Sequence, residues 1–178
     1  MSQRLAPYSV PTKILLPIDF SSSSDAALQM ATDLAQHFHA ELCLLHVVPI
    51  FSLDTTAEYV PDTEFLQDAR NRGEQRLDAY VAVLVAKGLI ARSVIEIGND
   101  VVGSIMSVVE REQIDMMVLS THGTSGWRAV VFGSVAEKLV KLLQCPLLLL
   151  HSPKTAIATQ SFNSMATAFP LTTPIHTW

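Results

Sequence analysis

Charge and cysteine are both scarce in this chain, and each scarcity removes a class of function. Only 16% of the residues are Asp, Glu, Lys or Arg, the net charge is -5, and no Lys/Arg cluster stands out. An acidic chain without a basic patch offers no footing for the phosphates of DNA or RNA, so no nucleic-acid partner is expected. The 2 cysteines, Cys43 and Cys145, sit far apart in apolar runs. They show no metal or redox spacing and read as core thiols of a reducing compartment, most simply the cytoplasm. His37, His39, His151 and His176 also lack ligand spacing, so no metal site built from protein side chains is expected. No apolar stretch approaches the roughly 18 residues of a membrane span. Met1–Val10 has no apolar signal-peptide core, so no membrane association is expected.

Glycine is sparse too, with 7 in 178 residues. Its placement excludes two nucleotide motifs. There is no G-x-x-x-x-G-K-[ST], and the turn after the first apolar run is serine-rich where a dinucleotide site would need G-x-G-x-x-G. Gly123-Thr124-Ser125-Gly126 lacks the G-x-S-x-G spacing of a nucleophile elbow. Ser125 and His122 stand too close in one loop to form a triad with Asp19. No catalytic residue is assigned.

What the chain does have is apolar content, 49% of its residues, in a regular alternation of patterns. Lys13–Ile18 is a short apolar run, and Leu42–Val48 is a continuous one, as expected of strands covered on both faces. Between them, a serine and aspartate cluster offers a helix cap, and Ala27, Met30, Ala31, Leu34 and Phe38 recur at helical spacing. Pro49–Pro61 reads as a long loop. Glu64–Lys87 reads as a helix with Leu66, Ala69, Leu77, Tyr80, Val81 and Leu84 on one stripe; Gly73 marks a bend and Gly88 a stop. Ala91–Ile97 alternates like an edge strand, and Val102, Ile105, Met106 and Val109 make a short helix. Ile114–Ser120 is a strand, with Asp115 as an ordinary turn-exit residue, followed by a helix over Ser134–Leu143 and a last strand over Pro146–Leu150. The order βαβαβαβαβ predicts an α/β domain over residues 1–152. It would be an open, Rossmann-like parallel sheet of five strands with helices on both faces. Residues 153–178 carry a single charge, Lys154. They read either as a mobile tail or as an amphipathic helix (Ala158, Phe162, Met165, Phe169) docked on the domain or on a partner.

Ligands of open parallel sheets bind beyond the carboxyl ends of strands where the strand order reverses. Two segments look like such ends, Pro17-Ile18-Asp19-Phe20 and Leu119-Ser120-Thr121-His122-Gly123. A strand order of 3-2-1-4-5 brings them into one crevice. The second segment leads through small and hydroxyl residues to Gly133-Ser134, where a helix starts. Unpaired amides and the helix dipole make such a start an anion site.

Ser120-Thr121-His122-Gly123, nine residues, then Gly133-Ser134 resembles the nucleotide loop of the universal stress protein family, G-x-x-G-x9-G-[ST]. K-I-L-L-P-I-D-F-S, L-L-H-V-V-P, I-D-M-M-V-L-S-T-H-G and G-S-V-A-E-K-L-V extend the likeness from Thr12 to Ser152. The resemblance implies an ATP site, or one for another adenine nucleotide, with Mg. Gly123, Gly133, Ser134 and the Val135 amide would surround the phosphates, and close backbone approach and positive φ both favour glycine there. Arg128 would neutralise phosphate charge. Val47 would hydrogen-bond adenine through its backbone, Pro17 and Leu119 would flank the nucleotide, and Asp19 would face the ribose or a phosphate-bound magnesium. His46 reads as a locally hydrogen-bonded structural residue, and His122 as ordering the loop or touching phosphate. Ser120 departs from the family pattern, which has glycine there, and its Cβ narrows the site. The resemblance also implies a homodimer through Pro146–Leu150, whose apolar edge needs cover. The leading reading is therefore a nucleotide-binding regulator of a stress response. Two others stay open: an enzyme that hydrolyses or transfers from a nucleotide, and a dimeric interaction module whose crevice stays empty.

Overall fold

A computed structural model describes residues 10–50, 63–121 and 133–151. In chain order these form β1 (Lys13–Pro17), α1 (Ser22–Phe38), β2 (Glu41–Pro49), α2 (Thr63–Ala86), β3 (Ala91–Gly98), α3 (Val101–Glu112), β4 (Met116–Ser120), α4 (Ser134–Leu142) and β5 (Leu147–Leu150). The strands make one sheet in the order β3-β2-β1-β4-β5, with every pairing parallel. This is the expected order, in which the first and fourth strands are neighbours. The tail 153–178 and most of the loop Pro49–Pro61 lie outside the described residues.

Successive side chains of a strand point to opposite faces, and this splits the core in two. Ile14 and Leu16 of β1 and Leu42 and Leu44 of β2 meet Ala27, Leu28, Ala31 and Ala35 of α1 and Leu77, Tyr80 and Leu84 of α2. Leu15, Cys43 and Leu45 face the other way, onto Val102, Ile105 and Val108 of α3 and Ala136 and Leu139 of α4. Each fully buried Leu or Ile contributes about 1.5–3 kcal/mol of transfer free energy. The alanines of α1 let that helix approach the sheet closely.

Local chemistry sets the element ends. The Ser21 hydroxyl accepts from the Ser24 N–H and caps α1, while Asp100 accepts from the Val102 N–H at 3.1 Å and caps α3. Gly88, at φ 84°, stops α2 as expected. Two expectations need correction. Gly73 does not break α2, which runs unbroken through it. The glycine is buried, and a Cβ there would stand 3.1 Å from both His46 Cδ2 and Ile95 Cδ1, so it permits a close approach of helix to sheet. Asp115 is more than a turn exit: its carboxylate accepts from the Thr12 N–H at 2.8 Å, the Thr12 hydroxyl at 2.6 Å and the Lys13 N–H at 2.9 Å. It pins the start of β1 beside the start of β4.

Candidate functional site

The chain leaves β1 toward α1 on one face of the sheet and leaves β4 toward α4 on the other. The two connections diverge and open a crevice at the carboxyl ends of the strands. A cavity of about 270 Å³ occupies it. Pro17, Asp19, Val47, Leu119, Ser120, Gly133, Ser134 and Val135, all expected site residues, line this one cavity. Gly123, Arg128 and His122 lie outside the described residues.

One wall is the first turn of α4. Its N-cap is Gly133, which has no side chain to cap the helix. The opening N–H groups of α4 have no acceptor in the preceding turn of helix, so the wall is rich in donors and carries the positive end of the helix dipole. Gly133 itself sits at φ -57° and ψ 151°, so the expectation of positive φ does not apply there. Among the described residues, a Cβ on Gly133 would meet only the Thr121 carbonyl oxygen, at 3.5 Å, an ordinary contact. Neither the backbone conformation nor the described surroundings therefore demand glycine at this position.

The opposite wall is the turn after β1. Asp19 Oδ1 accepts from the Ser21 N–H at 3.0 Å, from the Ser21 hydroxyl at 2.6 Å and from the Ser24 hydroxyl. The serine run thus does two things at once: it caps α1 and fixes the Asp19 carboxylate. Among the described residues lining the cavity, Asp19 is the one acidic side chain and none is Lys or Arg.

The floor is the end of β2. The Glu41 N–H donates to the Thr12 carbonyl and the Leu45 carbonyl accepts from the Ile18 N–H, so odd-numbered residues of β2 turn their backbone groups toward β1. Leu42 and Ile50 donate to the Ile90 and Gly98 carbonyls, so even-numbered residues face β3. By this alternation the Val47 N–H and C=O point to the β1 side, beyond the last rung between the two strands, Pro17 with Leu45. His46 Nδ1 lies 2.8 Å from the Ile18 carbonyl oxygen, which only accepts, so Nδ1 carries the proton. Burial is the main cause holding the His46 pKa below its ordinary value, so the ring is neutral at pH 7. Its role as a hydrogen-bonded structural histidine agrees with the sequence reading, but its partner lies 28 positions earlier in the chain.

Several lining residues escaped the sequence reading. Val101 and Ile105 form an apolar wall on α3, one helical turn apart after the Asp100 cap. That spacing was visible, but Ile105 reads equally well as core. Thr121 is buried at 3% exposure. Its N–H donates to the Leu150 carbonyl at 2.9 Å, and its hydroxyl lies 3.2 Å from both the Leu150 carbonyl and His151 Nδ1. It thus ties the cavity rim to β5.

The sequence profile of the universal stress protein family matches residues 11–151. The chain belongs to this family. Universal stress protein YxiE of Bacillus subtilis is 31% identical over 147 residues, covering 78% of this chain and 98% of that relative. Among solved structures, MJ0577, a universal stress protein of Methanocaldococcus jannaschii, matches with a TM-score of 0.72 at 22% identity. That match covers 83% of this chain and 100% of the other. A universal stress protein family protein of Arabidopsis thaliana, solved with AMP bound, matches with a TM-score of 0.58 at 20% identity over 81% and 94% of the two chains. At these identities the two structures establish a shared fold.

Proposed function

We propose that this universal stress protein binds an adenine nucleotide, ATP with magnesium foremost, in the cavity between β1 and β4, and that nucleotide occupancy regulates its part in a stress response. The observation that carries this reading is the pairing, in one cavity, of the α4 start, whose N-cap has no side chain, with the backbone edge of Val47. The first supplies donors and positive potential for phosphates; the second supplies a donor and an acceptor for a base. The phosphates rest on Gly133, Ser134 and Val135, with Gly123 and Arg128 completing the loop and the Ser120 hydroxyl beside them. Adenine lies against Val47, flanked by Pro17 and Leu119. Asp19, held by its serine donors, meets the ribose or the phosphate-bound magnesium. The AMP in the Arabidopsis relative supports an adenine nucleotide as the ligand class.

The cytoplasm is the compartment this reading assumes, and a homodimer closed through β5 is its assembly. Titration calorimetry with Mg-ATP tests the site, and a mass spectrum of nucleotide released from the denatured protein identifies the ligand. Binding in the micromolar range is expected. No heat at millimolar ATP, with no nucleotide carried through purification, overturns the reading in favour of an interaction module with an empty crevice.

A further inference from the structure

Continuing the parallel ladder by one rung past Pro17 and Leu45 would pair the Val47 N–H with the Ile18 carbonyl and the Phe20 N–H with the Val47 carbonyl. Neither half of that rung forms among the described residues. The Ile18 carbonyl is taken at 2.8 Å by His46 Nδ1. Phe20 turns into the left-handed region, at φ 60°, where a bulky residue is rarely found, and leaves the line of β1. The two rings that do this touch each other, with centroids 4.5 Å apart. Neighbours from α2 pack on both: the Arg76 guanidinium lies 3.9 Å over the Phe20 ring, the Tyr80 ring lies near-parallel to it with centroids 6.2 Å apart, and Gly73 leaves space beside the His46 ring.

We infer that His46 and Phe20 are positioning residues that strip one rung from the sheet, keeping the Val47 N–H and C=O open to the base of the bound nucleotide. The inference rests on the nucleotide reading above and adds how the base edge is made. A sheet that zipped one rung further would satisfy Val47 internally, leaving the α4 start able to hold phosphates but the floor unable to read a base. His46 is placed for this because its backbone faces β3 while its side chain reaches back to the β1 side. It therefore substitutes for the neighbouring amide at the same carbonyl.

Two measurements test this. In the unliganded wild-type protein, the Val47 amide should exchange its hydrogen at least tenfold faster than the Leu45 amide, which lies within the paired ladder. A Val47 amide protected like Leu45 overturns the inference, whatever the protein binds. The second measurement compares ATP with inorganic tripolyphosphate, which has no base. His46→Leu should lose at least tenfold in ATP affinity with little change toward tripolyphosphate, and His46→Asn, whose amide nitrogen can donate to Ile18, should restore ATP affinity to within about threefold of wild type. Equal losses toward both ligands, or unchanged ATP affinity in His46→Leu, overturn the inference. Wild-type protein that fails to bind ATP overturns the nucleotide reading itself and removes the base from this one, while the exchange rate still reports whether the rung is missing.

Discussion

The Gly133 N–H donates to the Thr121 carbonyl at 3.1 Å, joining the two described ends of the segment 122–132. Since the Thr121 N–H donates in turn to Leu150, one residue connects the start of α4 to the edge strand. Substitutions at Gly133 are therefore informative about the cavity and the fold separately.

Gly133→Val is expected to abolish ATP binding with little loss of stability. Its φ suits valine, and among the described residues the new Cβ meets nothing closer than 3.5 Å. As an N-cap, valine is poorer than glycine by about 1 kcal/mol, or roughly 2–4 °C in melting temperature for a domain of this size. The added methyls stand in the cavity, where the phosphates would lie. Calorimetry beside a thermal melt checks both halves; unchanged affinity would sink the role given to this residue.

Gly73→Ala sets two effects against each other. Alanine gains up to about 1 kcal/mol of helix propensity in mid-helix. Its Cβ would press on His46 and Ile95 at 3.1 Å, and overpacking costs about 1–3 kcal/mol. Net destabilisation of about 1 kcal/mol is expected from the denaturant midpoint. A more stable variant would mean that the His46 slot gives way freely.

The pH dependence of stability has a definite sign at His46. Burial, foremost, lowers its folded pKa beneath the unfolded value. Between those two values the unfolded chain binds more protons, so stability rises with pH across that window. It is lost as pH falls from about 6.5 toward the lower folded value. His46→Asn keeps the bond to Ile18 but cannot titrate. Urea melts from pH 7 to pH 5 should show wild type losing more stability than the variant, and parallel curves would contradict the assigned shift.

The proposed dimer can be tested without emptying the cavity. Pro146 and Leu150 turn their carbonyls to β4, accepting from Met117 and Thr121, so the Leu149 N–H faces outward from the sheet edge. Proline is tolerated where the missing N–H faces away from the sheet. Leu149→Pro should give a monomeric mass by sedimentation, whereas Leu149→Ala, which loses the same side-chain packing, should stay dimeric. A dimeric mass for Leu149→Pro would exclude β5 as the interface.

The parallel α/β architecture was legible from sequence-local signals, and the strand order from placing the two candidate strand ends in one crevice. Leu42–Val48 is apolar throughout because both its faces are covered, and the strand–helix alternation leaves few arrangements. Once β1 and β4 are neighbours, Asp19 and Ser120 must share a crevice. The rest depended on contacts between distant segments. Nothing near His46 in sequence says that its ring bonds a carbonyl 28 positions earlier. A glycine that permits close packing, as Gly73 does, looks in sequence like one that bends a helix. Gly133 carried a motif without the positive φ that usually explains such a glycine. Thr121 looked like a loop residue because its partner, Leu150, belongs to another strand.

The Arg92 ion pairs and the Asp115 contacts lie at the end of the sheet away from the cavity. Arg92, at the start of β3, pairs with Glu41 at the start of β2 and, at 2.9 Å, with Glu112 at the end of α3. Asp115 fastens the starts of β1 and β4 in the same region. The molecule therefore has a stitched base and a rim built from carbonyls, hydroxyls and helix ends. Residues around that rim can change what is held there while the cross-links that keep the strands in register stay intact. Ligand choice and folding are thus under largely separate mutational control in a single small sheet.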